Sequence, residues 1–226
     1  MHIEPGVVTG AKIALSFATG AGAAVVGLKL AADTVRRDGG LVSLAGRSAV
    51  ATALVFSFFQ ILPHYPVGIS EVHLILGSTL FLMFGAGPAA IGLAAGLLIQ
   101  GLFFSPFDLP QYGMNVTTLL VPLWGISALA KRIIPERTPY VETSYLQALS
   151  LSTAYQGGIV AWVAFWAFYG EGVTAQSFSA VATFGGAYML VVIVEPLIDL
   201  AVLAAAKSLT KTTSGPLFAR RLHQAA

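Results

Sequence analysis

Gly85-Ala86-Gly87-Pro88 is the stretch that decides the fold of this 226-residue sequence, because it separates two apolar runs at about 72–87 and 88–105. Glycine and proline in this arrangement break a helix, so the two runs predict a helical hairpin with a tight turn. Further apolar runs cover about 7–30, 48–64, 115–130, 144–169 and 179–206. Long apolar runs without alternation are typical of helices that cross a membrane. We therefore predict an all-α polytopic membrane bundle of about seven transmembrane helices, with six as the alternative count.

The composition supports the membrane class and excludes several chemistries. Hydrophobic residues make up 56% and charged residues 10% of the chain, and the mean hydropathy is +0.81. A soluble domain would carry about 25% charged residues. The net charge of +2 gives no reason to expect a nucleic-acid partner. Cysteine is absent, which excludes disulfides and thiolate metal sites. The sequence contains no Gly-x-x-x-x-Gly-Lys-Ser/Thr loop, so it predicts no P-loop ATP hydrolysis and no enzyme.

The basic residues orient the predicted bundle. Eleven of the twelve fall in or beside the first loop, the fifth loop and the tail: Lys29, Arg36, Arg37, Arg47, Lys131, Arg132, Arg137, Lys207, Lys211, Arg220 and Arg221. The second, fourth and sixth loops carry Glu71, Asp108 and Glu171 instead. The positive-inside rule then predicts a multi-pass protein of the inner (cytoplasmic) membrane, with the N-terminus outside and the C-terminus cytoplasmic. We expect one transmembrane domain over 1–226, whose basic tail, about 207–226, is a short solvated end.

This orientation places Met1-His2 on the outer face together with His64 and His73. No basic segment precedes the first apolar run, so we expect no cleavable signal peptide and a retained amino terminus. The terminal amine, the amide nitrogen of His2 and its imidazole Nδ1 can chelate one metal ion, and a further histidine would complete a square plane. Such a donor set favours nickel, copper or cobalt. The alternatives are a solvated terminal histidine, an interfacial His73 and a structural His64 in a Pro-rich turn.

Polar residues inside the apolar runs are further candidates for functional residues. Gln100 and Asn115 predict the inner face of the bundle, either as hydrogen bonds between helices or as residues that orient a metal-bound histidine. Glu195 and Asp199 lie four residues apart on one helix face near Pro196. Acids within a membrane span are functional by default. We expect the pair to contact a partner subunit or to form ion pairs.

Five segments then occur in a recognisable order: Met1-His2-Ile3 with Gly6, Pro66-Val67-Gly68-Ile69-Ser70-Glu71-Val72-His73-Leu74, Gly87-Pro88-Ala89-Ala90, Leu98-Ile99-Gln100-Gly101-Leu102-Phe103, and Gly113-Met114-Asn115-Val116. In this order they resemble the CbiM/NikM family. Members of that family are the membrane-embedded substrate-binding (S) components of cobalt and nickel energy-coupling factor transporters. The resemblance is carried by the N-terminus and by about 63–120, whereas the last hundred residues match mainly in hydropathy.

The resemblance implies seven helices and an outward N-terminus that folds back into the bundle. Met1, His2 and His73 would there bind Ni(II) or Co(II) as the transported ligand, and no cofactor is implied. The implied partners are a transmembrane coupling (T) protein and two cytoplasmic ATPase subunits, within the lipid bilayer. The leading hypothesis is therefore a metal-capture subunit that loads at the outer face.

Two hypotheses from other classes stand beside it. One is an intramembrane enzyme that acts on a lipid or peptide, with Glu195 and Asp199 as its acid and base and with Gln100 and Asn115 binding the substrate. The other is a structural or sensory membrane protein without a small ligand. The metal, the coupling partners and the downstream pathway, cobalamin synthesis or a nickel enzyme, are left open by the sequence.

Overall fold

The computed structural model describes residues 3–225, which form eight α-helices and one β-hairpin. The helices are α1 (Ala14–Arg37), α2 (Gly40–Gln60), α3 (Gly77–Phe84), α4 (Ala86–Phe103), α5 (Tyr112–Ile133), α6 (Tyr145–Glu171), α7 (Ala175–Ser208) and α8 (Thr210–Thr213). Strands β1 (Tyr65–Val67) and β2 (Ser70–Val72) pair antiparallel. The helical membrane bundle that the apolar runs predicted is confirmed.

Six of these helices are long and apolar enough to cross a membrane: α1, α2, α4, α5, α6 and α7. Helix α3 has eight residues, all buried, and rises only about 12 Å at 1.5 Å per residue. This is well short of the roughly 30 Å hydrocarbon core of a bilayer. The predicted run at about 72–87 is thus an extended segment, 73–76, followed by a short inner helix. The six long helices agree with the alternative count of six transmembrane helices. The count of seven full spans stays a prediction.

The contacts of the chain define two ends of the bundle. At the first, Ile3 forms an antiparallel bridge with Ser70, and Lys12 Nζ donates to the Gly170 carbonyl over 2.9 Å. We call it the histidine end, because His64 and His73 flank the β1–β2 hairpin, which contains Ser70. At the second, which we call the basic end, Arg47 Nη1 donates to the Phe84 carbonyl over 3.0 Å.

The segment 73–84 therefore runs from the histidine end to the basic end, like a shortened span. Within residues 3–225 the chain passes between the two ends seven times, six times as a long helix and once as this segment. Ile3 and the tail consequently lie at opposite ends. The assignment of the histidine end to the outside of the cell stays a prediction.

The glycine–proline breaker acts as a one-residue turn between α3 and α4. Gly85 has φ +87° and ψ 166°, a conformation that only glycine adopts without strain. Pro88 falls in the first turn of α4, where its missing N–H removes no helical hydrogen bond. The predicted helical hairpin is present at the predicted place, with one long arm and one short arm.

Helices α2 and α4 pack closely because α4 presents small residues to its neighbour. A Cβ added at Gly92 would lie 2.6 Å from the Ala51 Cβ, and one at Gly96 would lie 2.6 Å from the Val55 Cγ1. Glycines four residues apart let the backbones of membrane helices approach each other. This contact fixes the wall of the bundle that faces α3 and the histidine end.

Most of the C-terminal tail, which was predicted to be a short solvated end, is exposed, but part of it folds back onto the basic end. Ser43 Oγ donates to the Pro216 carbonyl over 2.6 Å, and Ala219 N donates to the Met83 carbonyl over 2.9 Å. Leu222 is fully buried. The basic composition of the tail gave no indication of these contacts, to which its apolar side chains contribute.

Replacing Arg47 with methionine tests the anchor of the basic end. Arg47 Nη1 pairs with Asp38 Oδ2 over 2.7 Å, and its side chain is fully buried. Removing the cation breaks the ion pair of Asp38 and leaves only its hydrogen bond from the Arg220 N–H. We expect a loss of about 3 kcal/mol, the lower bound for broken buried pairs, because Asp38 is partly exposed. Thermal or chemical unfolding in detergent measures the loss. The exposed neighbour Arg36→Met is the control; equal stability of the two variants would contradict the anchoring role.

Candidate functional site

The N-terminal segment is held inside the histidine end by hydrogen bonds to its backbone. Ile3 N donates to Asn115 Oδ1 over 3.0 Å, and Glu4 N donates to the Ile69 carbonyl over 3.1 Å. Ile3 itself is buried and pairs with Ser70 of β2. Three separate parts of the chain, residues 3–4, β2 and α5, thus converge at one point. Met1 and His2 lie outside the described residues.

His73 follows β2 directly and is buried at the same place. Its Nε2 lies 2.9 Å from Glu71 Oε2, and its backbone N–H donates to the Tyr188 hydroxyl of α7 over 3.4 Å. The carboxylate two residues earlier is the kind of partner that fixes the orientation of a metal-binding imidazole. These contacts hold His73 both by its ring and by its backbone.

His64 is the residue that the sequence interpretation undervalued. Its ring stacks on the His73 ring with a centroid separation of 4.9 Å and an interplanar angle of 12°. Phe59 meets the same His73 ring edge-on, with the centroids 5.2 Å apart. In the sequence, the only sign of this pairing was that both histidines fall in the same predicted loop. The stacking itself depends on the geometry of the hairpin between them, which the sequence does not show.

The carboxylates of the histidine end make it electronegative. Burial raises the pKa of Glu4, and the negative charges of Glu71 and Asp108 raise it further. The three carboxyl groups therefore lie near one another, where their negative charges repel. Such a concentration of negative charge attracts cations and favours their approach.

The two predicted inner-face amides differ in what the structure shows. Asn115 is buried and receives the hydrogen bond from Ile3, the residue next to His2. Gln100 is equally buried, and its Oε1 accepts no hydrogen bond from the described residues. The placement of Asn115 beside the N-terminal segment agrees with a positioning role. For Gln100 that role stays a prediction.

Glu195 and Asp199 form a separate buried cluster with the start of α3. Ser78 Oγ lies 2.8 Å from Asp199 Oδ2 and 3.3 Å from Glu195 Oε1. Three further donors complete the cluster: Thr79 donates to Asp199, and Ser152 and Gln156 of α6 donate to Glu195. These hydroxyl and amide donors were missed by the sequence interpretation, although Ser152 and Gln156 have the i, i+4 spacing of one helix face.

The cluster connects helices inside the chain. Both carboxyl side chains are fully buried in the single chain, and neither belongs to an ion pair within residues 3–225. The ion pairs that the sequence analysis allowed for these acids are therefore not found there. A direct contact with a partner subunit through these side chains would require them to be uncovered first. Their described role is to tie α3 to α6 and α7.

The described residues alone do not assemble a metal site. Within 3–225, no group of three or more histidine, aspartate or glutamate side chains is arranged to hold a metal ion. Of the predicted metal donors, only His73 lies within this part of the chain. Its other members, Met1 and His2, are joined to Ile3, whose position the structure does give.

A family model described as the cobalt uptake substrate-specific transmembrane region, CbiM, matches residues 2–212. Two crystal structures share the fold at a TM-score of 0.67 each. A truncated transition metal transporter is 20% identical, covering 94% of this chain and 99% of its own. A transition metal transporter is 21% identical, covering 93% and 94%. No curated protein sequence matches.

Replacing Ser78 with alanine tests the buried acid cluster. Ser78 is the one described hydroxyl that contacts both carboxyl groups, and its loss leaves buried acceptors underpaired. We expect the free energy of unfolding to fall by about 1–3 kcal/mol, measured by unfolding in detergent. Ser150→Ala is the matched control, because the exposed Ser150 hydroxyl bonds only to the Leu146 carbonyl of its own helix. Equal effects of the two changes would contradict the structural role of the cluster.

Proposed function

This chain belongs to the CbiM family of cobalt uptake substrate-specific transmembrane regions, and from that premise we propose that it is the substrate-capture (S) component of an energy-coupling factor importer for Ni(II) or Co(II). One observation carries the proposal. The backbone of Ile3 and Glu4 is fixed against Ile69 and Ser70, next to buried His73. Consecutive Cα atoms are about 3.8 Å apart, so the fixed position of Ile3 supports the proposal that His2 and His73 bind one metal ion.

The proposed donors are the Met1 amine, the amide and imidazole nitrogens of His2, and His73. Nitrogen donors in a plane suit nickel and other late divalent metals better than magnesium or calcium, which prefer oxygen. Glu71 would orient the His73 ring and increase its basicity. The carboxylates at the same end would raise the local concentration of the arriving cation. Nickel and cobalt are not distinguished by these donors.

The remaining parts of the proposal concern energy and partners. The sequence has no phosphate-binding loop, so ATP hydrolysis is assigned to two separate cytoplasmic ATPase subunits, connected through a transmembrane coupling (T) protein. The metal would load at the histidine end, facing outside, and leave toward the basic end. The charge asymmetry between the two ends supports this direction.

The alternative of an intramembrane enzyme receives less support. Its proposed acid and base, Glu195 and Asp199, are fully buried and engaged by side chains of α3 and α6. Gln100 and Asn115 lie toward the histidine end, and Asn115 is engaged by Ile3. The four residues that this hypothesis groups together therefore have different partners.

Replacing either His2 or His73 with alanine should abolish high-affinity binding of Ni(II) and Co(II), because each change removes a proposed donor. Calorimetric titration and metal analysis of the purified protein measure the loss, and thermal unfolding verifies the fold. His223→Ala is the control, because His223 contacts Thr213 at the opposite end of the molecule. Native metal affinity in His2→Ala would refute the proposed site.

The amino terminus allows a second, independent test of the proposed metal site. An extension of several residues before Met1, or an acetylated or formylated terminus, removes the proposed amine donor while leaving both histidines. We expect such protein to lose metal binding, as measured by the same titration. The same extension at the C-terminus is the matched control. A blocked N-terminus with unchanged affinity would exclude amine ligation.

Replacing Asn115 with alanine should lower metal affinity by about tenfold, the lower bound for residues that position metal ligands. The change removes the acceptor of the Ile3 N–H, so Ile3 loses a hydrogen bond that fixes its position. Asn115→Asp keeps an acceptor oxygen and should retain most of the affinity. Equal metal affinity in Asn115→Ala and the unaltered protein would show that the Ile3 hydrogen bond does not position the site.

A further inference from the structure

A continuous cleft opens at the basic end, between α1 and α5. Three adjoining cavities of about 590, 400 and 180 Å³ share Asp33 and Lys131 as lining residues. The two larger ones fall within the roughly 300–1,000 Å³ range of small-molecule sites. The folded tail forms part of the wall of the largest cavity through Ala219 and Arg220. We call this space the basic cleft.

The charge of the basic cleft is strongly positive. Six cationic side chains line it: Lys29, Arg37, Lys131, Arg132, Arg220 and Arg221. The two lining carboxylates are Asp33 and Asp38, and Asp38 is already engaged by Arg47. Within residues 3–225, the first four cations of the set form no ion pair. An unneutralised group of this size predicts an anionic ligand.

Arg221 gives a second, independent observation. Its Nη2 donates to the Ile134 and Pro135 carbonyls over 3.2 and 3.0 Å, and its guanidinium lies 5.1 Å from the centroid of the Tyr140 ring. These contacts hold the side chain in the wall of the cleft. Its Nε is buried, yet it has no hydrogen-bond acceptor among the described residues. Arg221 therefore presents a fixed positive charge in the wall of the cleft, beside the other cations.

The surface around the cleft is apolar and lies on the outside of the bundle. Trp124, which lines the cavity of about 400 Å³, is 51% exposed, and Leu28 beside Lys29 is 70% exposed. Both belong to helices long enough to cross a membrane. Seven residues, or about 10 Å of helix, separate Trp124 from Lys131. Tryptophan close to basic residues is typical of the boundary between hydrocarbon and headgroups.

We propose that the basic cleft binds the phosphate of an anionic phospholipid, with the acyl chains along the exposed faces of α1 and α5. The phosphate oxygens accept hydrogen bonds from the cationic side chains that line the cleft. Basic pockets between membrane helices on the cytoplasmic side are suited to such headgroups. A soluble phosphate would satisfy the cations but would leave the adjoining apolar surface without a ligand. The proposal depends on neither the metal site nor the coupling partners.

Lipid titration of the full-length protein tests the proposal. Purified protein in a neutral detergent is titrated with phosphatidylglycerol, phosphatidylcholine or glycerol 3-phosphate. Bound lipid is counted by native mass spectrometry, and the melting temperature is followed in parallel. We expect phosphatidylglycerol alone to bind and to raise the melting temperature. Brominated phosphatidylglycerol should also quench tryptophan fluorescence, and Trp124→Phe should remove most of that quenching.

A charge-matched pair of variants locates the site. Arg37→Gln with Lys131→Gln removes two cations from the cleft, whereas Lys207→Gln with Lys211→Gln removes two exposed cations beyond the residues that line it. We expect the cleft variant to bind phosphatidylglycerol about tenfold or more weakly, and the control to bind as the unaltered protein does. Metal affinity should be unchanged in both, which separates this test from that of the proposed function.

Several results would overturn the proposal. Equal binding of phosphatidylglycerol and phosphatidylcholine would exclude recognition of anionic headgroups, and equal losses in both variants would place the lipid elsewhere. Glycerol 3-phosphate that binds as tightly as the lipid would make the cleft a soluble-anion site. A melting temperature raised by polyglutamate and unaffected by phosphatidylglycerol would make it a docking site for an acidic protein segment.

Discussion

The hydrogen bonding of non-helical backbone is the constraint on which this structure depends. Within an apolar membrane bundle, an unpaired backbone N–H or C=O costs several kcal/mol, and irregular segments survive only where protein groups pair them. Residues 3–4 meet this requirement through Asn115, Ile69 and Ser70. The extended segment after β2 meets it in part through the Tyr188 hydroxyl. The position of His73 follows from these pairings, since it lies between them.

The same constraint explains the buried acid cluster. Helix α3 is too short to cross the bilayer and begins deep in the protein, directly after Leu76, whose φ of +54° is unusual for a residue with a side chain. Its first hydroxyl side chains bond to Glu195 and Asp199 of α7. A helix that starts in the protein interior and two buried carboxyl groups both cost free energy when their polar atoms are unpaired. Here the two features lie together and hydrogen-bond to each other. The cluster also links the segment that bears His73 to α6 and α7.

Features that depend on local sequence were predicted, whereas features that depend on tertiary contacts were missed. Apolar runs and the glycine–proline breaker located the long helices, because spanning length and helix breaking are local properties. The placement of Asn115 on the inner face followed from its polarity. The stacking of His64 on His73, the donors around Glu195 and the folded tail were missed. The donors around Glu195 and the contacts of the tail depend on residues far apart in sequence: Ser152 and Glu195 are 43 positions apart, and Arg220 and Asp38 are 182. The stacking of the two histidines depends on the conformation of the hairpin between them.

By itself, the sequence determined the membrane class, the long helices, the family resemblance and the concentration of basic residues in particular loops. These properties are sums over local composition, and local composition can be read directly. The tertiary structure alone decided that residues 3–4 lie beside β2, that α3 is a short inner helix, and that the basic tail completes a cleft. Those outcomes depend on which distant group pairs with each buried polar atom, and that choice is made only when the helices pack.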